Sequence, residues 1–228
     1  MCYYYHGHGN VWIGSAEGAA AVARGETPAS GSFVAVFNAS GSEAAGITLE
    51  PQVRARGLLY DTLLDSWSGM TLGDCAERAA PEDVAQAMAD ADDVYRTPHS
   101  TQTCTDVAFA FFMHEASRKI AALADGAERR GGAALVYCAR GHNRSAASVV
   151  AYAALSAGEP VAEVVGRVRA AAREYGCAEA LTNERFVALL AGLRRGSAAA
   201  AAARVAYRQE HADIMCLTRA AMIKRSKK

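Results

Sequence analysis

The sequence has no excess of charge of either sign and no apolar run long enough to cross a membrane. Lysine plus arginine and aspartate plus glutamate each number 24, so no net charge draws the protein to nucleic acid or to an anionic surface. A membrane helix needs roughly 20 apolar residues, and no stretch approaches that length. Residues 1–6 also lack the charged start and apolar block of a signal peptide. These absences favour a cytoplasmic protein with no membrane partner and argue against a nucleic-acid partner.

The six cysteines have neither the spacing of a zinc site nor that of a disulfide framework. We therefore expect free thiols in a reducing compartment. His6 and His8 stand without further ligand-type neighbours, so they do not indicate a metal site. We expect no metal and no cofactor. The basic end at residues 224–228 leaves nuclear access open, and nothing in the sequence indicates the oligomeric state.

Short apolar runs alternate with helical patterns along most of the chain. Strands are expected at 11–15, 32–37, 57–64 and 133–137. Helices are expected at 16–23, from 105 or 106 to 126, at 145–155, from 160 to about 176, and after 182 or 183. This alternation predicts an α/β fold, in which a central, mostly parallel sheet is flanked by helices on both faces.

Two segments differ in composition from this core. Residues 70–104 are acidic and poor in apolar side chains, and we interpret them as an insertion or lid. Residues 197–228 begin with a run of alanines, which forms helix readily but buries little, and end in a basic tail. The expected organisation is one catalytic domain over 1–196 and a peripheral Ala-rich helix with a tail over 197–228.

Residues 138–145 carry the pattern of a phosphate site with a nucleophile. Cys138 ends a predicted strand, Arg144 follows with five residues between them, and a helix begins at the same place. Loop N–H groups and a helix N-terminus therefore surround one point, where an anion would contact both the sulfur and the guanidinium. The same groups lower the pKa of a thiol. Gly141 permits the positive φ that turns N–H groups inward, and Ser145 can donate a hydrogen bond to the sulfur when it leaves.

The stretch Cys138-Ala139-Arg140-Gly141-His142-Asn143-Arg144-Ser145 resembles the signature loop of cysteine-dependent protein tyrosine phosphatases, and the order of elements is most similar to the dual-specificity branch. Flanking segments agree: 12–16 resembles the first strand of that branch, 33–40 its Val-Leu-Asn-Val-Ala strand with Asn38 at the asparagine, and 182–190 its Pro-Asn-x-Gly-Phe-x-x-Gln-Leu helix start. The resemblance covers about 9–194, interrupted by 70–104. It implies a dual-specificity phosphatase-like fold with an inserted segment and an extra C-terminal helix.

The resemblance also implies an activity and roles for residues. The expected enzyme is a phosphoric monoester hydrolase acting on phosphoproteins, on phosphotyrosine and on phosphoserine or phosphothreonine, through a phosphocysteine intermediate. The implied roles are Cys138 as nucleophile, Ser145 as the aid to intermediate breakdown, and Arg144 with the N–H groups of Ala139, Arg140, Gly141, His142 and Asn143 as the phosphate cradle. A general acid is needed from another loop, and the similarity of 58–68 to the family's acid loop places it at Asp65.

Three points keep alternatives open. Asp61 lies on the same face of a strand as Asp65 and competes for the role of acid. Tyr137 occupies the position where the similar phosphatases have a histidine that orders the loop. The protein could therefore be a catalytically weak phosphate-binding pseudophosphatase. The basic residues Arg140 and His142 also fit the same chemistry on a phosphoinositide or an RNA 5′-triphosphate.

Overall fold

Five strands form one sheet in the computed structural model, which describes residues 3–5, 9–26, 32–39, 49–63, 106–177 and 179–193. The strands are β1 (Tyr3–Tyr5), β2 (Val11–Ser15), β3 (Phe33–Asn38), β4 (Leu59–Thr62) and β5 (Ala133–Cys138). Their order is β1-β2-β5-β3-β4, with β1 antiparallel to β2 and the other pairs parallel. The mostly parallel sheet expected from the sequence is confirmed.

Six α-helices lie within the described ranges. They are α1 (Ala16–Arg24), α2 (Glu50–Ala55), α3 (Asp106–Arg129), α4 (Arg144–Tyr152), α5 (Val161–Glu174) and α6 (Glu184–Ala191), and a π-helical turn (Ala153–Ala157) extends α4. Helices α1 and α2 pack on one face of the sheet, and α3, α4, α5 and α6 pack on the other. The prediction of helices on both faces is confirmed.

The central strand β5 is buried along its whole length, as its continuous apolar sequence predicts. Alternate residues of this strand face opposite cores: Ala134 and Val136 pack against the α3 side, whereas Leu135 and Tyr137 pack against the α1 side. The next position, Cys138, ends the strand between β2 and β3, where it pairs in register with Ser15. The carboxyl edge of the parallel strands therefore carries the cysteine.

The amphipathic pattern of α3 gives its buried face correctly. All six residues expected on that face are buried: Phe109, Phe112, Met113, Ala116, Ile120 and Leu123. Helix α4, expected to be central because it is apolar nearly all round, is buried from Ser145 to Ala151.

Four features depart from the expectations. Strand β1 and helix α2 were not expected, and β4 is shorter than the predicted strand at 57–64. Cys177, expected to be a free thiol, is disulfide-bonded. The sequence did not predict this, because spacing along the chain does not reveal which cysteines meet in space.

The proposed insertion at 70–104 and the C-terminal segment at 197–228 lie outside the described residues, so the domain division stays a prediction. No helix in the described ranges is long and apolar enough to cross a membrane.

Candidate active site

Cys138 lies at the junction of β5 and the loop that leads into α4. Its side chain is almost fully buried, and its sulfur lies 3.2 Å from the Ser145 hydroxyl oxygen. Arg144, the first residue of α4, places a permanent positive charge beside the sulfur. The structure thus brings together the three side chains that the signature pattern links, Cys138, Arg144 and Ser145.

The thiol of Cys138 has a pKa below its ordinary value. Burial by itself disfavours the thiolate and raises the pKa. The charge of Arg144, the hydroxyl of Ser145 and the backbone N–H groups of Ser145 and Gly141 act in the opposite direction and outweigh burial. These are the groups that stabilise a thiolate at a helix N-terminus. The local chemistry therefore favours an ionised sulfur.

Four carbonyl groups of the loop between Cys138 and Arg144 accept hydrogen bonds from donors outside the loop. The N–H of Ala16 donates to Ala139 O at 3.4 Å, the Tyr4 hydroxyl to Gly141 O at 2.8 Å, the N–H of Leu181 to His142 O at 2.8 Å, and the N–H of Ala147 to Asn143 O at 2.7 Å. Carbonyl groups held in this way do not present their oxygens to an anion. The N–H groups of Gly141 and Ser145 point to the Cys138 sulfur, as N–H groups do toward an anion in anion-binding turns.

Gly141 cannot be replaced by a larger residue without a shift of the loop. Its φ is +77°, a conformation that side-chain-bearing residues rarely adopt. A Cβ atom at this position would also lie 2.9 Å from the backbone carbon of Gly14. The loop therefore packs directly on the end of β2, and the glycine expected for a positive φ is confirmed.

Asn143 ties the loop to the start of α6. Its side-chain oxygen accepts a hydrogen bond from the Asn183 N–H at 3.1 Å, and its side-chain nitrogen donates to the Thr182 hydroxyl at 3.2 Å. Asn183 in turn caps α6 by accepting from the N–H groups of Arg185 and Phe186. Sequence reasoning expected only the backbone of Asn143 to act, whereas the structure gives its side chain a role in fixing the loop.

Arg140 and His142 lie at the mouth of the loop. Arg140 is exposed and His142 is half-buried. The pKa of His142 is below its ordinary value, first because of burial and second because of the positive charge of Arg140. Near neutral pH, His142 therefore favours its neutral form, and Arg140 supplies the charge at this mouth.

Tyr137 does not contact the phosphate loop with its ring. Its side chain belongs to the opposite face of the sheet, where it packs in the same core as Tyr60 and Trp12. Burial raises its pKa far above the ordinary value, and the neighbouring Tyr60 adds to the effect. The side chain that immediately precedes Cys138 is thus an uncharged tyrosine on the side of the sheet away from the sulfur.

The structure describes one of the two candidates for the general acid. Asp65 lies outside the described residues. Asp61 lies in β4, where its Oδ1 accepts hydrogen bonds from the Lys119 ammonium at 3.0 Å and from the Thr62 N–H at 2.7 Å. Only 8% of the Lys119 side chain is exposed, so this ion pair fastens β4 to α3.

Solved structures of similar fold include two phosphatases. Human DUSP28 aligns with a TM-score of 0.46 and 21% identity, over 82% of this chain and 89% of that one. OH1 from the Orf virus, a tyrosine phosphatase that displays triple substrate specificity, aligns with a TM-score of 0.44 and 18% identity, over 82% of this chain and 83% of that one. No protein-family profile and no curated protein matches the sequence.

Two contributors to the site were not expected from the sequence. Tyr4 and Thr182 contact the loop through hydrogen bonds that span 137 and 39 positions of the chain. The helix cap at Asn183 was expected, but its bond to Asn143 was not.

The described residues contain no group of three or more His, Cys, Asp or Glu side chains that could hold a metal.

Proposed function

We propose that this protein is a phosphoric monoester hydrolase that acts on phosphoproteins through a phosphocysteine intermediate. The observation that carries the proposal is the geometry around Cys138: its buried sulfur lies 3.2 Å from the Ser145 hydroxyl oxygen, beside the Arg144 charge and loop N–H groups that lower the thiol pKa. A purely structural cysteine in a buried position has its thiol pKa raised instead. The direction of the shift is that of a nucleophile.

The proposed reaction has two displacements at phosphorus. The Cys138 thiolate attacks the phosphorus, and the bond from phosphorus to the ester oxygen breaks as Asp65 delivers a proton to that oxygen. Water then attacks the phosphocysteine while Asp65 accepts its proton, and the sulfur–phosphorus bond breaks to release inorganic phosphate. Ser145, 3.2 Å from the sulfur, donates a hydrogen bond to the departing thiolate.

Arg144 and the loop N–H groups hold the phosphoryl oxygens through both displacements. The guanidinium fork binds two oxygens at once. The N–H groups of residues 139–144 supply further donors at a helix N-terminus, where negative charge is favoured. Such fixed donors stabilise the charge that develops on the equatorial oxygens in the transition state.

The lowered thiol pKa also supports this function over that of a pseudophosphatase. A phosphate-binding module needs only the arginine and the loop, and gains nothing from an ionised sulfur. The Tyr137 ring, which raised that alternative, lies across the sheet from the sulfur, and the thiol pKa is lowered without a histidine at this position. The geometry favours the enzyme over the binding module.

A substrate panel tests the proposed substrate class. It contains phosphotyrosine and phosphoserine peptides, a phosphoinositide and an RNA with a 5′-triphosphate, all assayed for released phosphate. We expect hydrolysis of the phosphopeptides, with phosphotyrosine preferred. Turnover of only the RNA or only the lipid would retain the chemistry and contradict the substrate, and no turnover at all would contradict the enzyme.

Asp65→Asn is expected to slow phenyl phosphate hydrolysis by roughly 10²–10⁴-fold, which is the usual contribution of a general acid. Hydrolysis of p-nitrophenyl phosphate should fall much less, because nitrophenolate leaves without a proton. The measurement is the ratio of the two rates. An equal loss on both substrates would place the acid at another residue.

Asp61→Asn is the matched control for this variant. The Asp61 carboxylate already accepts hydrogen bonds from the buried Lys119 ammonium and from the Thr62 N–H, so we assign it a structural role. We expect the ratio of the two rates to stay at the wild-type value and the stability to fall by about 1–2 kcal/mol, since Lys119 loses its charged partner.

A further inference from the structure

The side chain of Tyr4, a residue near the beginning of the chain, contacts the phosphate loop. It lies in β1, opposite Ile13 of β2, and is fully buried in the core on the α3 side of the sheet. Its hydroxyl donates a hydrogen bond of 2.8 Å to the carbonyl oxygen of Gly141, 137 positions away. Nothing in the packing of β1 alone requires a polar group at this point, since a phenylalanine would fill nearly the same volume.

We propose that Tyr4 is a positioning residue that holds the Gly141 carbonyl away from the site and so keeps the phosphate loop oriented around the Cys138 sulfur. This proposal rests on the proposed function, in which the loop binds phosphate. The effect of Tyr4 on the loop can nevertheless be tested without measuring turnover. It concerns only the Tyr4 hydroxyl, the Gly141 peptide groups and the sulfur.

Gly141 is held from two sides at once. Its N–H donates to the Cys138 sulfur, and its carbonyl accepts from Tyr4. Glycine has the widest choice of backbone conformations, so its peptide groups rotate easily unless they are bound. A carbonyl released from Tyr4 could turn its oxygen toward the sulfur, where its negative end would oppose the thiolate and any bound anion.

Tyr4 remains a donor throughout the pH range in which Cys138 ionises. Burial raises the pKa of its phenol far above the ordinary value, and the negative charge of Cys138 raises it further. The titratable or charged groups that face the sulfur, within the described part of the chain, are Arg144 from α4 and Tyr4 from β1. A titration measured at this site therefore reports the Cys138 thiol.

Tyr4→Phe is expected to move the pH midpoint of Cys138 alkylation by iodoacetamide to higher pH. Below the midpoint the alkylation rate should fall about fivefold, the equivalent of one hydrogen bond. The alkylated peptide is quantified by mass spectrometry across a pH series, and circular dichroism and the melting temperature verify the fold. Tyr175→Phe is the matched control, because Tyr175 is exposed and packs edge-on against Trp12. Its midpoint should equal that of the wild type.

Incorporation of 3-fluorotyrosine at position 4 separates positioning from general destabilisation. The fluorine makes the phenol a stronger donor and retains its shape, so the midpoint should move to lower pH, in the opposite direction to Tyr4→Phe. An unchanged midpoint in a folded Tyr4→Phe variant would overturn the role of Tyr4. Should that variant not fold, an unchanged midpoint in the fluorinated protein would overturn it. Neither result bears on phosphate hydrolysis, which is measured separately.

Discussion

Cys138→Ser is expected to reduce hydrolysis of p-nitrophenyl phosphate at least ~10³-fold, the scale of loss when a catalytic nucleophile is removed. A serine hydroxyl fills the same position beside Ser145, but the groups that lower the thiol pKa cannot ionise an alcohol near neutral pH. Because Arg144 and the loop remain, binding of inorganic phosphate should stay within a few-fold of the wild type. Wild-type turnover in the variant would show that another residue attacks the phosphorus.

The pH dependence of wild-type kcat/KM follows from the same thiol. Since the thiol pKa is lowered in the folded protein, the thiolate persists above that pKa and is lost as the pH falls through it. Activity should therefore fall on the acid side, and the fall should coincide with the midpoint for alkylation of Cys138. A mismatch between these two midpoints would indicate that a different group controls the acid limb.

Arg144→Lys is expected to lower kcat/KM by roughly 10²–10³-fold, as for removal of one essential donor to a developing anion. Lysine retains the positive charge but replaces a planar fork by a single ammonium, which cannot hold two phosphoryl oxygens in a fixed geometry. Because the charge is retained, the pH midpoint for Cys138 alkylation should move far less than kcat/KM changes.

Arg173→Lys serves as the control for this substitution. Arg173 lies exposed near the end of α5, so the exchange alters no contact with the phosphate loop. Its kcat/KM should equal that of the wild type. Arg144→Lys with normal kcat/KM would show that bidentate binding is not used and would remove the arginine from the proposed mechanism.

The part of the site that is continuous in sequence could be predicted, because strand, loop and helix follow one another within residues 133–152. The spacing of Cys138 and Arg144 and the glycine between them are local properties of the chain. The apolar period of α3 likewise gives its buried face, since six residues on that face all enter the core. Local pattern was sufficient for each of these features.

The contacts that hold the loop in place could not be predicted, because they join distant segments. The bond from Tyr4 to Gly141 depends on β1 pairing antiparallel with β2, and a three-residue strand shows no periodicity of its own. The bonds of Asn143 to Thr182 and Asn183 depend on how α6 docks. Pro51 lies in the first turn of α2, a position that proline favours. The helix has only six residues, which are too few to show an apolar period.

The structure changes the interpretation of Tyr137 that the sequence suggested. From sequence, a tyrosine in place of the usual histidine put the thiol's ionisation in question. In the structure its ring packs beside Tyr60 on the far side of the sheet, and donors from β1, α4 and the loop itself surround Cys138 and Gly141. The alternation of β5 determines this outcome, because adjacent residues of a strand face opposite sides.

Direct detection of the covalent intermediate tests the central claim. Wild-type protein is mixed with p-nitrophenyl phosphate and quenched within the first turnover, and the proteolytic peptide that contains Cys138 is analysed by mass spectrometry, with Cys138→Ser as the blank. Asp65→Asn, which should slow the second displacement, is run in parallel to increase the yield. We expect one phosphoryl group on the Cys138 sulfur in both active forms and none in the blank. Phosphate release with no phosphoryl group on Cys138, or with the group on another residue, would contradict the proposed mechanism.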